Sequence, residues 1–256
     1  MPIVGSREMT LKEHLDELRR RLIVTSVFLI IGVITAFVFR NTILRFLMEP
    51  GFGDLGSRPI ATEVLETVGV TMKVTFMVGF VATLPILLYH LIMFAGPGLT
   101  KKEKLYVFLL MPGVLLAFAV GAAFAYYVLF PPAFSFLFTF GAENVDANIR
   151  ISSYVNVVIS LMFWMGMAFQ LPLIMFMLAR LGLVTPRWLG RFRRFAIVLA
   201  FIAAAIITPT FDPVNQTLVA VPIIVLYEFG ILLARIGRRL RGRTPQREME
   251  ASQIEQ

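Results

Sequence analysis

Residues 74–95 read VTFMVGFVATLPILLYHLIMFA, a run of 22 residues without a single Lys, Arg, Asp or Glu. At 1.5 Å per residue, a helix of this length is about 33 Å long and can cross the roughly 30 Å hydrocarbon core of a bilayer. Further apolar runs lie at 22–39, 105–130, 154–179, 195–207 and 218–234. The sequence therefore predicts an all-α, polytopic membrane protein with six transmembrane helices.

The composition favours a chain that faces lipid. Of its 256 residues, 58% are apolar and 16% are charged, against roughly 45–50% and about 25% in soluble domains. The net charge of +8 is dispersed between apolar runs, which argues against one basic face for nucleic acid. The absence of Cys excludes disulfides and thiolate metal sites, and the sequence predicts neither a metal nor a cofactor.

The last two apolar runs are short. Thirteen and seventeen residues give helices of about 20 and 25 Å, so either the bilayer thins there or these helices end inside it. Four prolines lie within the predicted helices and should kink them, because each removes a backbone donor; these are Pro85, Pro112, Pro172 and Pro222.

The distribution of basic residues predicts the orientation. Nineteen of the 24 Lys and Arg lie at the N-terminus, the tail and alternate connections, whereas four lie in the opposite set. The positive-inside rule then places both termini in the cytoplasm. We expect an uncleaved first helix and a single membrane domain over residues 1–235, with a cytoplasmic amphipathic helix at 1–21. Residues 236–256 form a basic tail that we expect to be disordered.

Two acidic positions near the cytoplasmic side allow two interpretations. Glu17 can pair with Arg21 one turn later on a solvated helix face. Glu103 follows Thr100 at the spacing of a capping box. In a strongly basic field, however, such a carboxylate can also bind a cationic ligand.

Polar residues within or between the later helices are also open to two interpretations. Asp212 precedes Pro213 as an N-cap would, but between two short helices it can also lie in a depression. Gln170 can satisfy a carbonyl freed by Pro172 or bond to another helix. Glu228 can pair with Arg235, seven residues on, or serve a function.

Several stretches together resemble the TatC family of the twin-arginine protein translocase. They are HLDELRRRL at 14–22, TFMVGFVATLPILLYHLIMFAGPGLTKKEK at 75–104, AFAYYVLFP at 123–131, FQLP at 169–172 and TPTFDPVNQTLVAVP at 208–222. The resemblance implies a curved, glove-like wall of six helices. It also implies a receptor in the bacterial inner membrane that binds twin-arginine signal peptides of folded proteins and works with TatA-like and TatB-like single-span subunits. Export would be driven by the proton-motive force, and several copies of the chain would assemble in the complex.

The resemblance also assigns roles to individual residues. Positions matching those implicated in signal-peptide recognition are Glu17, Arg19, Phe94 and Glu103. Six further residues match family positions that are polar within the membrane or contact partner subunits: Gln170, Thr208, Pro209, Asp212, Gln216 and Glu228. Pro50 matches a position in the first outer loop. At Gln170 many members carry glutamate, and an amide cannot exchange a proton as a carboxylate does.

Two other functions compete with a non-enzymatic receptor. A small-solute permease would use Gln170, Asp212 and Glu228 as a polar path, but no repeat symmetry supports it. An intramembrane hydrolase lacks a recognisable nucleophile and base.

Overall fold

The computed structural model describes residues 11–52, 59–95, 105, 107–139, 149–208 and 213–254, and these are almost entirely helical. The helices are α1 (Leu11–Val38), α2 (Arg40–Phe52), α3 (Glu66–Ala95), α4 (Met111–Phe124), α5 (Phe130–Thr139), α6 (Ile151–Ala168), α7 (Gln170–Leu181), α8 (Pro186–Arg191), α9 (Arg193–Ile207) and α10 (Pro213–Ile254). A π-helical segment, Ala125–Leu129, joins α4 to α5. Within the described ranges there is no strand, and Ile60 and Arg150 form an isolated parallel bridge. The all-α prediction is confirmed.

Five helical stretches in the described part of the chain are long and apolar enough to cross a membrane. They are Leu15–Val38, Glu66–Phe94, Val107–Ser135, Ile151–Leu181 and Pro213–Leu240. The remaining predicted segment forms α9, whose 15 residues extend only about 22 Å. Six spans, cytoplasmic termini and a curved wall stay predictions.

The chain divides into two compact units. Unit 1 comprises residues 1–43 and 71–115, and unit 2 comprises residues 44–70 and 116–256. The single membrane domain over 1–235 stays a prediction. In the predicted tail, the backbone of α10 continues as helix to Ile254, whereas the composition predicts disorder. Arg and Glu are good helix formers, so a helix that begins inside the membrane domain can continue through them.

Proline does not act alike at every predicted kink. Pro85 lies inside α3, and α10 passes through Pro222 without interruption. At Pro172 the helix is broken, with α6 ending at Ala168 and α7 beginning at Gln170. Pro172 has no N–H to donate to the carbonyl four residues earlier, which is that of Ala168. The break therefore falls where the missing hydrogen bond predicts it.

Glycines allow close helix approach within each unit. In unit 1, a Cβ on Gly32 would lie 2.8 Å from the carbonyl oxygen of Gly79. In unit 2, a Cβ on Gly237 would lie 2.8 Å from the carbonyl oxygen of Phe176, and one on Gly230 would collide with Met175. Small residues let helix backbones meet in this way in membrane proteins. These contacts pack α1 against α3 and α7 against α10.

Candidate functional site

Glu17 lies in the second turn of α1, and its two carboxylate oxygens have different surroundings. Arg21 donates from Nε to Oε1 over 3.0 Å, and a second guanidinium N–H of Arg21 bonds to the same oxygen. Oε2 is covered and accepts no hydrogen bond from any residue that the structure describes. The side chain as a whole remains 23% exposed. A covered carboxylate oxygen without a donor is costly, so Glu17 has acceptor capacity beyond its bonds to Arg21.

A contact between α1 and α3 brings a second predicted residue to this part of unit 1. A guanidinium nitrogen of Arg21 lies 3.5 Å from Nδ1 of His90, which is part of α3. Phe94 follows His90 by one helical turn, on the same face, and is half-buried. Glu17 and Phe94 therefore lie toward the same end of unit 1.

Arg19 does not join Glu17. Two residues along an α-helix point about 160° apart, and Arg19 is exposed on the far face of α1. There it lies among exposed or half-buried side chains of the same helix, such as Leu15, Leu18 and Leu22. Glu17 and Arg19 therefore lie on different faces of α1, and the role of Arg19 in peptide binding stays a prediction.

Glu103 lies outside the described residues, so the structure does not decide between its capping and binding interpretations. Pro209 and Asp212 lie outside them too. The neighbouring α10 begins at Pro213, which agrees with the start signal of an Asp-Pro pair.

Of the remaining predicted polar residues, Thr208 and Gln216 form hydrogen bonds with α9, and Gln170 is buried. Gln170 is 1% exposed at the break between α6 and α7. Thr208 is buried at the end of α9, where its hydroxyl donates to the carbonyl of Ala204 over 2.8 Å. Gln216 donates from Nε2 to the carbonyl of Phe201 over 3.0 Å. The last contact joins α10 to α9.

Glu228 forms an ion pair with a neighbouring helix. Its Oε1 lies 2.8 Å from Nε of Arg193 at the start of α9, and its side chain is 45% exposed. Of the two interpretations left open, the structure shows a structural ion pair, but with Arg193 of α9 rather than with Arg235, which lies about 10.5 Å further along the same helix. Glu228 thus joins two helices.

Two tyrosines that the sequence did not single out hold the backbone of α2. Pro50 lies inside α2 and has no N–H for the carbonyl of Phe46, four residues earlier. The hydroxyl of Tyr126 donates to that carbonyl over 2.7 Å, and the hydroxyl of Tyr154 donates to the next one, that of Leu47, over 3.0 Å. Tyr126 therefore replaces the hydrogen bond that Pro50 removes.

Because the Tyr126 hydroxyl supplies the donor that Pro50 lacks, removing this hydroxyl should lower the stability of the fold. Tyr126→Phe should lower the free energy of unfolding by about 1–3 kcal/mol, because it leaves the partly buried carbonyl of Phe46 without a donor. The unfolding of the purified protein in detergent, followed by circular dichroism, measures the change. Tyr127→Phe is the matched control, since the Tyr127 side chain is 67% exposed. Equal stability of Tyr126→Phe and wild type would contradict the assignment.

A second unpredicted feature is a carboxylate that joins two helix starts in unit 2. Glu66 opens α3 and is 8% exposed. Its Oε2 accepts from the backbone N–H of Thr62 over 2.7 Å, and its Oε1 accepts from the backbone N–H of Ser152 over 3.1 Å and from the Ser152 hydroxyl. Arg150 lies 3.6 Å from the same carboxylate. Ser152 lies 86 residues from Glu66, so no local pattern indicates the contact.

The chain matches a family model described as Sec-independent protein translocase protein (TatC) over residues 13–222. A TatC protein of Halothiobacillus neapolitanus is 40% identical over 87% of this chain and 61% of that relative's own length. A TatC protein of Helicobacter pylori is 39% identical over 88% of this chain and 87% of its own length. One from Aquifex aeolicus is 35% identical over 90% of this chain and 97% of its own length.

Two crystal structures of the twin-arginine translocase receptor TatC have the same fold. They superpose with TM-scores of 0.76 and 0.78 at 34% identity, and cover 88% and 87% of this chain and 99% of each solved chain. With five helices long and apolar enough to span, the chain is a multi-pass membrane protein and belongs to the TatC family of Sec-independent protein translocase proteins.

Proposed function

We propose that this protein is the receptor subunit of a twin-arginine translocase in the bacterial inner membrane. It binds the twin-arginine signal peptides of folded proteins and organises TatA-like and TatB-like single-span subunits for export driven by the proton-motive force. The observation that carries the proposal is the covered Oε2 of Glu17, which has no hydrogen-bond donor among the described residues. Similar proteins are named as translocase proteins and not as enzymes.

The chemistry of the signal fits this position. A guanidinium group presents N–H donors in a planar fork that matches a carboxylate, whereas lysine supplies the same charge without the fork. Glu17 offers an oxygen to one arginine of the pair, and Glu103 supplies the second carboxylate. Phe94, toward the same end of unit 1 as Glu17, gives an apolar surface against which the apolar part of a signal peptide can bury area.

Single-span partners need an apolar helix face to cover. The short α9 offers one, since Leu199 is 62% and Ile206 is 71% exposed. Thr208 and Gln216 lie at its far end, where Gln216 fixes α10 to α9, and Pro209 and Asp212 connect the two helices in sequence. We assign partner docking, and contacts between copies of the chain, to this short-helix pair.

Site-specific photocrosslinking from position 94 tests the peptide site. A photoreactive phenylalanine analogue at Phe94 should crosslink a twin-arginine signal peptide, and a twin-lysine version of the same peptide should crosslink much less. The same analogue at Phe195, an exposed residue near the arginines of α9, is the matched control and should not discriminate. Equal crosslinking of the twin-arginine and twin-lysine peptides at Phe94 would contradict the proposed peptide site.

A further inference from the structure

An arginine cavity opens in unit 2 between the starts of α8 and α9 and the later part of α10. Its volume is about 740 Å³, within the roughly 300–1,000 Å³ of pockets that hold small ligands. Five of the residues that line it are arginines: Arg187 of α8, Arg193 of α9, and Arg235, Arg238 and Arg239 of α10. Two helical walls thus present guanidinium groups to one space.

Most of this positive charge is uncompensated. Arg193 is paired with Glu228 at 2.8 Å. No carboxylate in the described part of the chain forms a salt bridge with the other four arginines. A concave surface lined by charges of one sign concentrates ions of the opposite sign, so the arginine cavity is suited to an anion.

The cavity lies where apolar helix gives way to charge. The candidate span of α10 ends at Leu240, and its cavity arginines lie in the last two turns before that residue. On α8, next to the cavity residue Arg187, Trp188 is 48% exposed and its ring lies 4.5 Å from that of Phe192. Exposed tryptophan is typical of the level of lipid headgroups. The anion that meets this cavity in a membrane is therefore a phospholipid headgroup.

We propose that the arginine cavity binds the headgroup of an anionic phospholipid with two phosphodiester groups. Arginine binds phosphate oxygens through two parallel N–H bonds, and basic pockets between transmembrane helices bind such headgroups. Arg187 and Arg193 on one wall face one phosphodiester, and the α10 arginines face the other. The site involves none of the residues assigned to signal-peptide binding.

Gly190 provides a way to close the cavity without disturbing the protein. It lines the cavity, and a Cβ added to it would meet no atom within 4 Å. The Cβ of Gly190→Asp therefore has open space, and the substitution adds a carboxylate to the cavity lining. It should repel a phosphodiester while the helices keep their packing.

Native mass spectrometry of the full-length protein in a neutral detergent tests the proposal. With equal amounts of diphosphatidylglycerol and phosphatidylcholine, wild type should retain the anionic lipid about tenfold more strongly, since one well-made charged hydrogen bond is worth roughly that factor. Arg187→Gln with Arg238→Gln should reduce this retention by about tenfold or more, and Gly190→Asp should act in the same direction. The thermal unfolding of each variant without lipid shows that the fold is kept.

The control removes the same amount of charge outside the cavity, from α8 and α9. Arg191→Gln with Arg194→Gln should leave retention unchanged, because neither residue lines the cavity. An equal loss in both double variants would overturn the proposal and indicate diffuse surface attraction. Displacement of the lipid by millimolar inorganic phosphate, or tighter cavity-dependent binding of a polyglutamate peptide, would overturn it as well.

Discussion

Replacing Glu17 and Glu103 together by glutamine should weaken the binding of a twin-arginine peptide by about 10² to 10⁴-fold. A hydrogen bond to a charged group contributes roughly 1.5–3 kcal/mol, and the proposal assigns one carboxylate to each arginine of the signal. Glutamine keeps the shape and removes the charge, so insertion of the protein should be unaffected. Fluorescence anisotropy of a labelled peptide with the purified protein measures the affinity.

The control and the two single variants make this result specific. Asp16→Asn removes one negative charge beside Glu17 on an exposed position and should change affinity little, because exposed charges contribute weakly. Each single glutamate variant should lose about 10- to 150-fold. Wild-type affinity in the double variant would show that the carboxylates do not hold the arginines.

The helices were predictable because their signal is local. Uncharged runs of about twenty residues predict spanning helices directly from length, and the break before Pro172 follows from one missing N–H. The absence of α9 from the five candidate spans also follows from length, since its 15 residues are too few to cross a membrane. By contrast, the pattern of apolar residues contains no signal for the π-helical segment Ala125–Leu129.

The candidate site was only partly predictable because its contacts join distant residues. The pair of Glu17 and Arg21 follows from helix spacing. The contact of Arg21 with His90 joins residues 69 apart, and that of Tyr126 with Phe46 joins residues 80 apart. Helix spacing alone also could not show that Glu228 pairs with Arg193, because that arginine belongs to a neighbouring helix. Such contacts depend on which helices pack together.

The packing that brings Glu17 and Phe94 to one end of unit 1 depends on a glycine crossing. A Cβ on Gly79 would lie 2.5 Å from the backbone nitrogen of Val33 and 2.7 Å from its Cα. Backbone atoms cannot rotate away as a side chain can, so α1 and α3 must separate to admit even one methyl group. Separation of α1 from α3 at Gly79 should therefore also move Glu17 away from Phe94 and disrupt the peptide site.

Gly79→Ala should lower the free energy of unfolding by about 1–3 kcal/mol, the usual cost of overpacking, and should reduce binding of a twin-arginine peptide as well. Gly69→Ala is the matched control on the same helix, because its added Cβ would meet nothing within 4 Å and alanine favours the helix. Unfolding in detergent and peptide anisotropy, measured on the same samples, follow both effects. If Gly79→Ala were as stable as Gly69→Ala and bound the peptide normally, close approach of the two backbones would not be needed to form the site.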